Sequence, residues 1–133
     1  MTEEQIFEKY PELYREKDLP ASETTMYWGL EVPEEWLEVI DKLSGVLDDL
    51  PTYDYKISDE SYRRATPKCI AQQVKIKFGE LRFYYEIDAE NLPEDLTDEE
   101  RDTFLTKTRG YINGAIMMAS LQCREIYELN NNI

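Results

Sequence analysis

The chain has 133 residues, with 29 acidic against 15 basic side chains, a formal net charge of −14 and no histidine. That length suits one domain with its own core, and the missing imidazole removes the usual general base near neutral pH, the commonest metal ligand and every Ser-His or Cys-His nucleophile. A field of that sign repels nucleic acid and anionic membranes, so neither is expected as a direct partner.

No stretch approaches the ~20 apolar residues of a membrane span, and the acidic start MTEEQIFEKY lacks the basic and apolar regions of a signal peptide. The expectation is a soluble protein of the cytoplasm. Cys69 and Cys123 form neither a disulfide framework nor a zinc spacing, and are expected to be buried, inert thiols. The five glycines are scattered, with no phosphate-binding loop among them. No catalytic set, metal or cofactor is expected.

In chain order, Thr2 followed by Gln5 predicts a capping box opening a short helix with Ile6, Phe7 and Tyr10 inward. Pro11 interrupts it, Leu13 and Tyr14 add a turn, and Glu16 to Thr25 reads as polar loop. Met26 to Leu30 is too short for periodicity to separate a strand from a buried connector. Pro33 suits a first helical position, with Glu34 and Glu35 beside the positive helix end. Trp36, Leu37, Ile40, Leu43 and Leu47 then make the apolar stripe of a helix ending near Leu50-Pro51, weakened at Gly45. Residues 51–66 read as loop, with a short strand near Tyr53–Ile57 that could pair with the hairpin beyond it.

Ile70 to Ile87 writes that hairpin. Ile70, Gln72, Val74, Ile76 and Phe78 alternate onto one face, as do Leu81, Phe83, Tyr85 and Ile87 on the return. Gly79-Glu80 is the predicted two-residue turn, pairing Phe78 with Leu81, Ile76 with Phe83 and Val74 with Tyr85. The opposite face shows Lys75, Lys77, Arg82 and Tyr84, and Lys77 opposes Arg82, a repulsive pair unless an anion lies between them. Asn91-Leu92-Pro93 ends the segment. Thr97 with Glu100 is a second capping box, before a long helix reaching about Leu129. Its stripe runs through Phe104, Thr108, Tyr111, Ile112, Ala115, Ala119, Gln122, Cys123 and Ile126, and Ile116, Met117, Met118 and Leu121 widen it enough to serve both the hairpin and a partner subunit. Gly110 and Gly114 permit close approach of another element or a second copy of the helix. The sum is a single α+β domain over residues 1–133: a small antiparallel sheet around a central hairpin, packed by two N-terminal helices and one long C-terminal helix.

The charge is unevenly placed. Residues 1–55 hold 4 basic and 15 acidic groups, residues 56–82 hold 7 and 3, and residues 83–133 hold 4 and 11. Glu34, Glu38, Asp41 and Asp48 lie at helical steps opposite the apolar stripe, a line of carboxylates that could imitate spaced phosphates or simply form a solvated face. The cluster from Glu94 to Asp102 matches no calcium loop and suits a helix N-terminus. The basic hairpin face, Lys75, Lys77, Arg82 and Tyr84, with Arg63 and Arg64, could hold a phosphate or an acidic segment, or be neutralised by the protein's own carboxylates.

Lys9-Tyr10-Pro11 with Leu13, Trp28-Gly29-Leu30 followed by Trp36, and above all Gln73-Val74-Lys75-Ile76-Lys77-Phe78-Gly79-Glu80-Leu81-Arg82-Phe83-Tyr84 resemble a family of small proteins from tailed bacteriophages and prophages. The resemblance covers roughly residues 5–88 and is specific in the hairpin. Glu31 to Glu35 stand where relatives carry a Cys/Gly-rich turn, and only Cys123 stands near the end where many carry a Cys-x-x-Cys-Gly tail. The resemblance implies phage origin and brings no activity with it. The expectation is a non-enzymatic accessory protein whose acidic helices bind and block a host or defence protein with a basic surface. The alternative is a binding domain, with a homo-oligomer as one form, that holds an anionic small molecule or nucleotide on the basic hairpin face.

Overall fold

Both capping boxes form. In the computed structural model, which describes residues 1–88 and 92–132, the Thr2 hydroxyl accepts from the Gln5 amide while the Gln5 side chain accepts from the Thr2 amide, opening helix α1 (Glu3–Lys9). Thr97 and Glu100 repeat this reciprocal bonding to open α3 (Asp98–Asn130). Between them lie β1 (Leu30–Glu31), α2 (Leu37–Asp48), β2 (Tyr53–Ser58), β3 (Ser61–Ala65), β4 (Lys68–Lys77) and β5 (Glu80–Asp88). The architecture is α+β, with three helices on a small sheet built around the central β4–β5 hairpin.

Pro33 precedes a short 3-10 turn, Glu34–Trp36, that leads into α2. The segment Met26–Leu30 is both connector and strand: a 3-10 turn over Thr25–Trp28, Gly29 at φ 73°, then β1. A Cβ at position 29 would collide with the Glu3 carboxylate, whose Oε1 accepts from the Leu30 amide at 3.1 Å. Glycine alone allows both the positive φ and that approach.

The main sheet is mixed. Its order is β1-β4-β5, with β1 parallel to β4 and β4 antiparallel to β5. β2 pairs with β3 as a separate antiparallel hairpin and not with β4–β5, so the predicted loop at residues 61–66 is largely strand. The predicted hairpin end at Asn91 lies outside the described residues.

The central turn falls one residue earlier than the glycine pattern predicts. Phe78 (φ 55°) and Gly79 (φ 76°) are its two central residues, both left-handed, and Lys77 closes against Glu80. Ile76 therefore pairs with Leu81 and Val74 with Phe83. Each partner moves by two positions, which keeps Val74, Ile76, Leu81 and Phe83 on the inner face because side chains alternate with period two. Phe78 itself is 89% exposed at the tip. Beyond the hairpin, the Tyr127 ring sits where a Cβ of Gly79 would be, so the end of α3 closes over the turn.

A bulge at Gln72 resets β4. Gln73 pairs with Tyr84 but Ala71 pairs with Tyr85, so Ala71 and Cys69, rather than the predicted Gln72 and Ile70, join Tyr85 and Ile87 on the inner face. The backbone groups freed there are taken by the N-terminal segment: the Ala71 amide donates to the Leu13 carbonyl at 2.9 Å, and the Thr25 hydroxyl donates to the Gln72 carbonyl. Leu13, Tyr14, Trp36, Ile40, Leu43 and Leu47 pack with Val74, Leu81, Phe83, Ile112, Ala119 and Cys123 in one core. Each such aliphatic or aromatic side chain, fully buried, stabilises by roughly 1.5–3 kcal/mol. At its centre the Tyr14 hydroxyl is 2.6 Å from Ser44 Oγ, which donates to the Ile40 carbonyl. A smaller cluster joins Ala65, Leu92 and Phe104, with Tyr53 edge-on to Phe104 at 5.7 Å.

Candidate functional site

The acidic line on α2 is divided by its neighbours. Lys9 reaches across from α1 and donates to Asp41 at 2.8 Å, and that bond raises the lysine's pKa above its ordinary value. Asp48 is partly buried; burial first, then the nearby Glu12 charge, push its carboxyl up, with Lys68 opposing. Glu34 and Glu38 remain exposed. The Lys9–Asp41 bridge ties α1 to α2, and Glu4 and Glu8 on α1 are exposed as well, with Glu35 next to Glu34 in sequence. The acidic feature is therefore a two-helix surface, with Asp41 inside it as a bridge.

The outer face of the main sheet carries Glu31, Gln73, Lys75, Lys77, Glu80, Arg82 and Tyr84, by register. Lys77 opposes Glu80, so the predicted Lys77–Arg82 repulsion does not arise; the earlier turn separates the two. Lys75 opposes Arg82 instead, with Glu31 on the other flank of Lys75 and Glu80 bonded to Arg82 at 3.1 Å. The carboxylates interleaved on this face do what the postulated anion would have done. Arg63 and Arg64 lie elsewhere: on β3, they pair with Asp95 and Asp54, each at 3.2 Å. The structure thus brings Lys75, Lys77, Arg82 and Tyr84 together and keeps Arg63 and Arg64 apart from them.

Arg82 and Tyr84 also border an open groove of about 440 Å³ between β5 and α3. Its far wall comes from Asn113, Met117, Ser120 and Arg124, a run of three- and four-residue steps along one side of α3. Sequence reasoning passed over this polar row because it interleaves with the apolar stripe; the spacing of Asn113, Ser120 and Arg124 is the signal that could have exposed it. Tyr85 donates to Asn113 Oδ1 at 2.7 Å at one end, and Arg124 is tied to Glu128 at 3.2 Å. Arg82 Nε is buried and has no hydrogen-bond partner among the described residues.

Both thiols are buried, and burial pushes each up to about 12. Among the described residues no group of three or more Cys, Asp or Glu side chains is placed to hold a metal ion, and no helix is long and apolar enough to cross a membrane. Comparison with family models, with curated proteins and with solved structures gave no match.

Proposed function

We propose that this is a non-enzymatic, acidic accessory protein that binds a basic surface on another protein and blocks that surface from nucleic acid. The observation that carries the reading is the α1–α2 surface. Glu4 and Glu8 on α1, Glu34 and Glu35 on the 3-10 turn leading into α2, and Glu38 on α2 are exposed, the two helices are tied by Lys9–Asp41, and none of the five forms an ion pair among the described residues. Carboxylates fixed on rigid helices act on a basic partner chiefly by steering encounter and setting orientation. The hairpin motif's resemblance to phage proteins suggests a host or defence protein as the partner, met in the host cytoplasm.

Reversing Glu34 and Glu38 together to lysine is expected to abolish competition with duplex DNA for a purified basic DNA-binding target. The same number of reversals at Asp98 and Glu99 is expected to weaken it far less. Equal losses in both variants would reduce the effect to net charge and remove the reading.

A second reading rests on Arg82. Its side chain borders the groove beside Tyr84 on β5, and Arg124 faces it from α3, a pair of cations that supports an anionic small molecule or nucleotide as ligand. Titration calorimetry with nucleoside triphosphates is expected to show binding that Arg82→Ala removes; no heat with the intact chain discards it.

A further inference from the structure

From Gly110 to Cys123, fourteen consecutive residues of α3 carry no charge, in a protein one third charged. That is about four helical turns, or ~21 Å. One side of this band is in the core through Ile112, Ala119 and Cys123. The other is open: Met117, Met118 and Leu121 are 65%, 60% and 52% exposed, and a Cβ added at Gly110 or Gly114 would meet nothing within 4 Å. Large apolar side chains grouped on an uncharged, exposed face mark an interaction surface.

We propose that a second copy of this chain covers it, with the two α3 helices packed antiparallel about a two-fold axis. Charge selects the occupant and the direction. At −14 per chain, two copies repel over most of their surfaces, and this band is where a long helix offers no carboxylate. Two cations bound it on the N-terminal side, Lys107 and Arg109, whereas on the C-terminal side Arg124 is outweighed by Glu125 and Glu128. Parallel packing would set like ends together; antiparallel packing sets Lys107 opposite Arg124, whose charge Glu128 already neutralises at 3.2 Å, in a turn that Glu125 leaves net negative. Size agrees with charge. Gly110, Gly114, Met117 and Leu121 follow one another along the exposed stripe, and an axis near residues 115–116 sets Leu121 over Gly110 and Met117 over Gly114 of the other copy. Two-fold symmetry repeats both contacts. The inference is independent of the acidic α1–α2 reading, which uses other residues.

Sedimentation equilibrium of the full chain between about 1 and 100 µM is expected to show twice the chain mass. Leu121→Glu is expected to weaken the dimer by about tenfold or more with an unchanged circular dichroism spectrum. Gly114→Leu, which fills the gap without adding charge, should weaken it too and serves if Leu121→Glu fails to fold. Lys107→Glu should weaken it, and adding Glu125→Lys should restore it. A monomer at every concentration overturns the proposal and leaves the face to a different protein. A dimer indifferent to Leu121→Glu and Gly114→Leu overturns it as well, and a charge swap without recovery overturns the antiparallel arrangement.

Discussion

The chain contains two antiparallel hairpins held by different physics. β4–β5 buries Ala71, Val74, Leu81 and Phe83 in the main core and gains a third strand from β1. β2–β3 stands as a two-stranded ribbon, a form marginal in water by itself. Its described side chains are largely exposed: Tyr62 is 64% exposed, and Arg64–Asp54 and Lys56–Asp59 are solvent-exposed pairs. What anchors it is Tyr53 and Ala65 against Phe104, with Lys107 over the Tyr53 ring at 5.3 Å. One hairpin supports the fold, and the other is supported by the first turns of α3.

The largest expected effect is on the first. Phe83→Ala should cost about 3–5 kcal/mol and lower the urea midpoint of the whole protein; a loss under about 1 kcal/mol would contradict its place in the core. Phe104→Ala should separate the two hairpins. Amide protection at residues 53–65 is expected to collapse while β4–β5 stays protected, and uniform loss across both would show that they unfold as one unit. Gly79→Ala should cost roughly 1–3 kcal/mol, through left-handed strain and the Tyr127 ring, read as a shifted denaturation midpoint. Alkali should also act through the core hairpin. Cys69 and Cys123 are pushed from 9.0 up to about 12, and burial raises Tyr14 above its ordinary 10.0. Above pH 9 the unfolded chain therefore releases thiol protons that the folded chain keeps, so stability falls as pH rises towards 12. Thermal melts from neutral to alkaline pH should show the decline, reduced in Cys69→Ala. Smallest of all, Arg64→Ala on β3 should change stability by about 0–1 kcal/mol, because both partners are exposed.

The hairpins also differ in how plainly the sequence announces them. β4–β5 is legible because apolar alternation survives even a displaced turn: moving the turn to Phe78-Gly79 changed the partners of Val74 and Ile76 but not their face. The displacement was hidden because Gly79 suits either central position of a two-residue turn, as the first with Glu80 or as the second with Phe78. The Gln72 bulge was hidden because its backbone groups are taken by residues distant in sequence, Leu13 and Thr25. β2–β3 was half missed: Tyr53, Tyr55 and Ile57 alternate with polar residues and announce β2, whereas Ser61–Ala65, with Arg63 and Arg64 side by side, has no apolar period from which to read β3. Helix starts were the clearest features, since Thr2–Gln5 and Thr97–Glu100 act within one turn. For the candidate site, Glu34 and Glu38 were legible from helical spacing, and Lys75, Lys77, Arg82 and Tyr84 from strand parity. The bridging of Asp41 by Lys9 and the joining of Arg82 to Arg124 across a groove are tertiary events without a local signal.

The two-residue strand β1 bears on the order in which this protein can assemble. Leu30 and Glu31 dock beside Val74 and Lys75, and Leu13 receives its bond from Ala71. As the nascent polypeptide leaves the ribosome, the first fifty residues have no template until more than twenty further residues have followed them. Trp36, Ile40 and Leu47 must wait, exposed and prone to stray association, for a scaffold made after them.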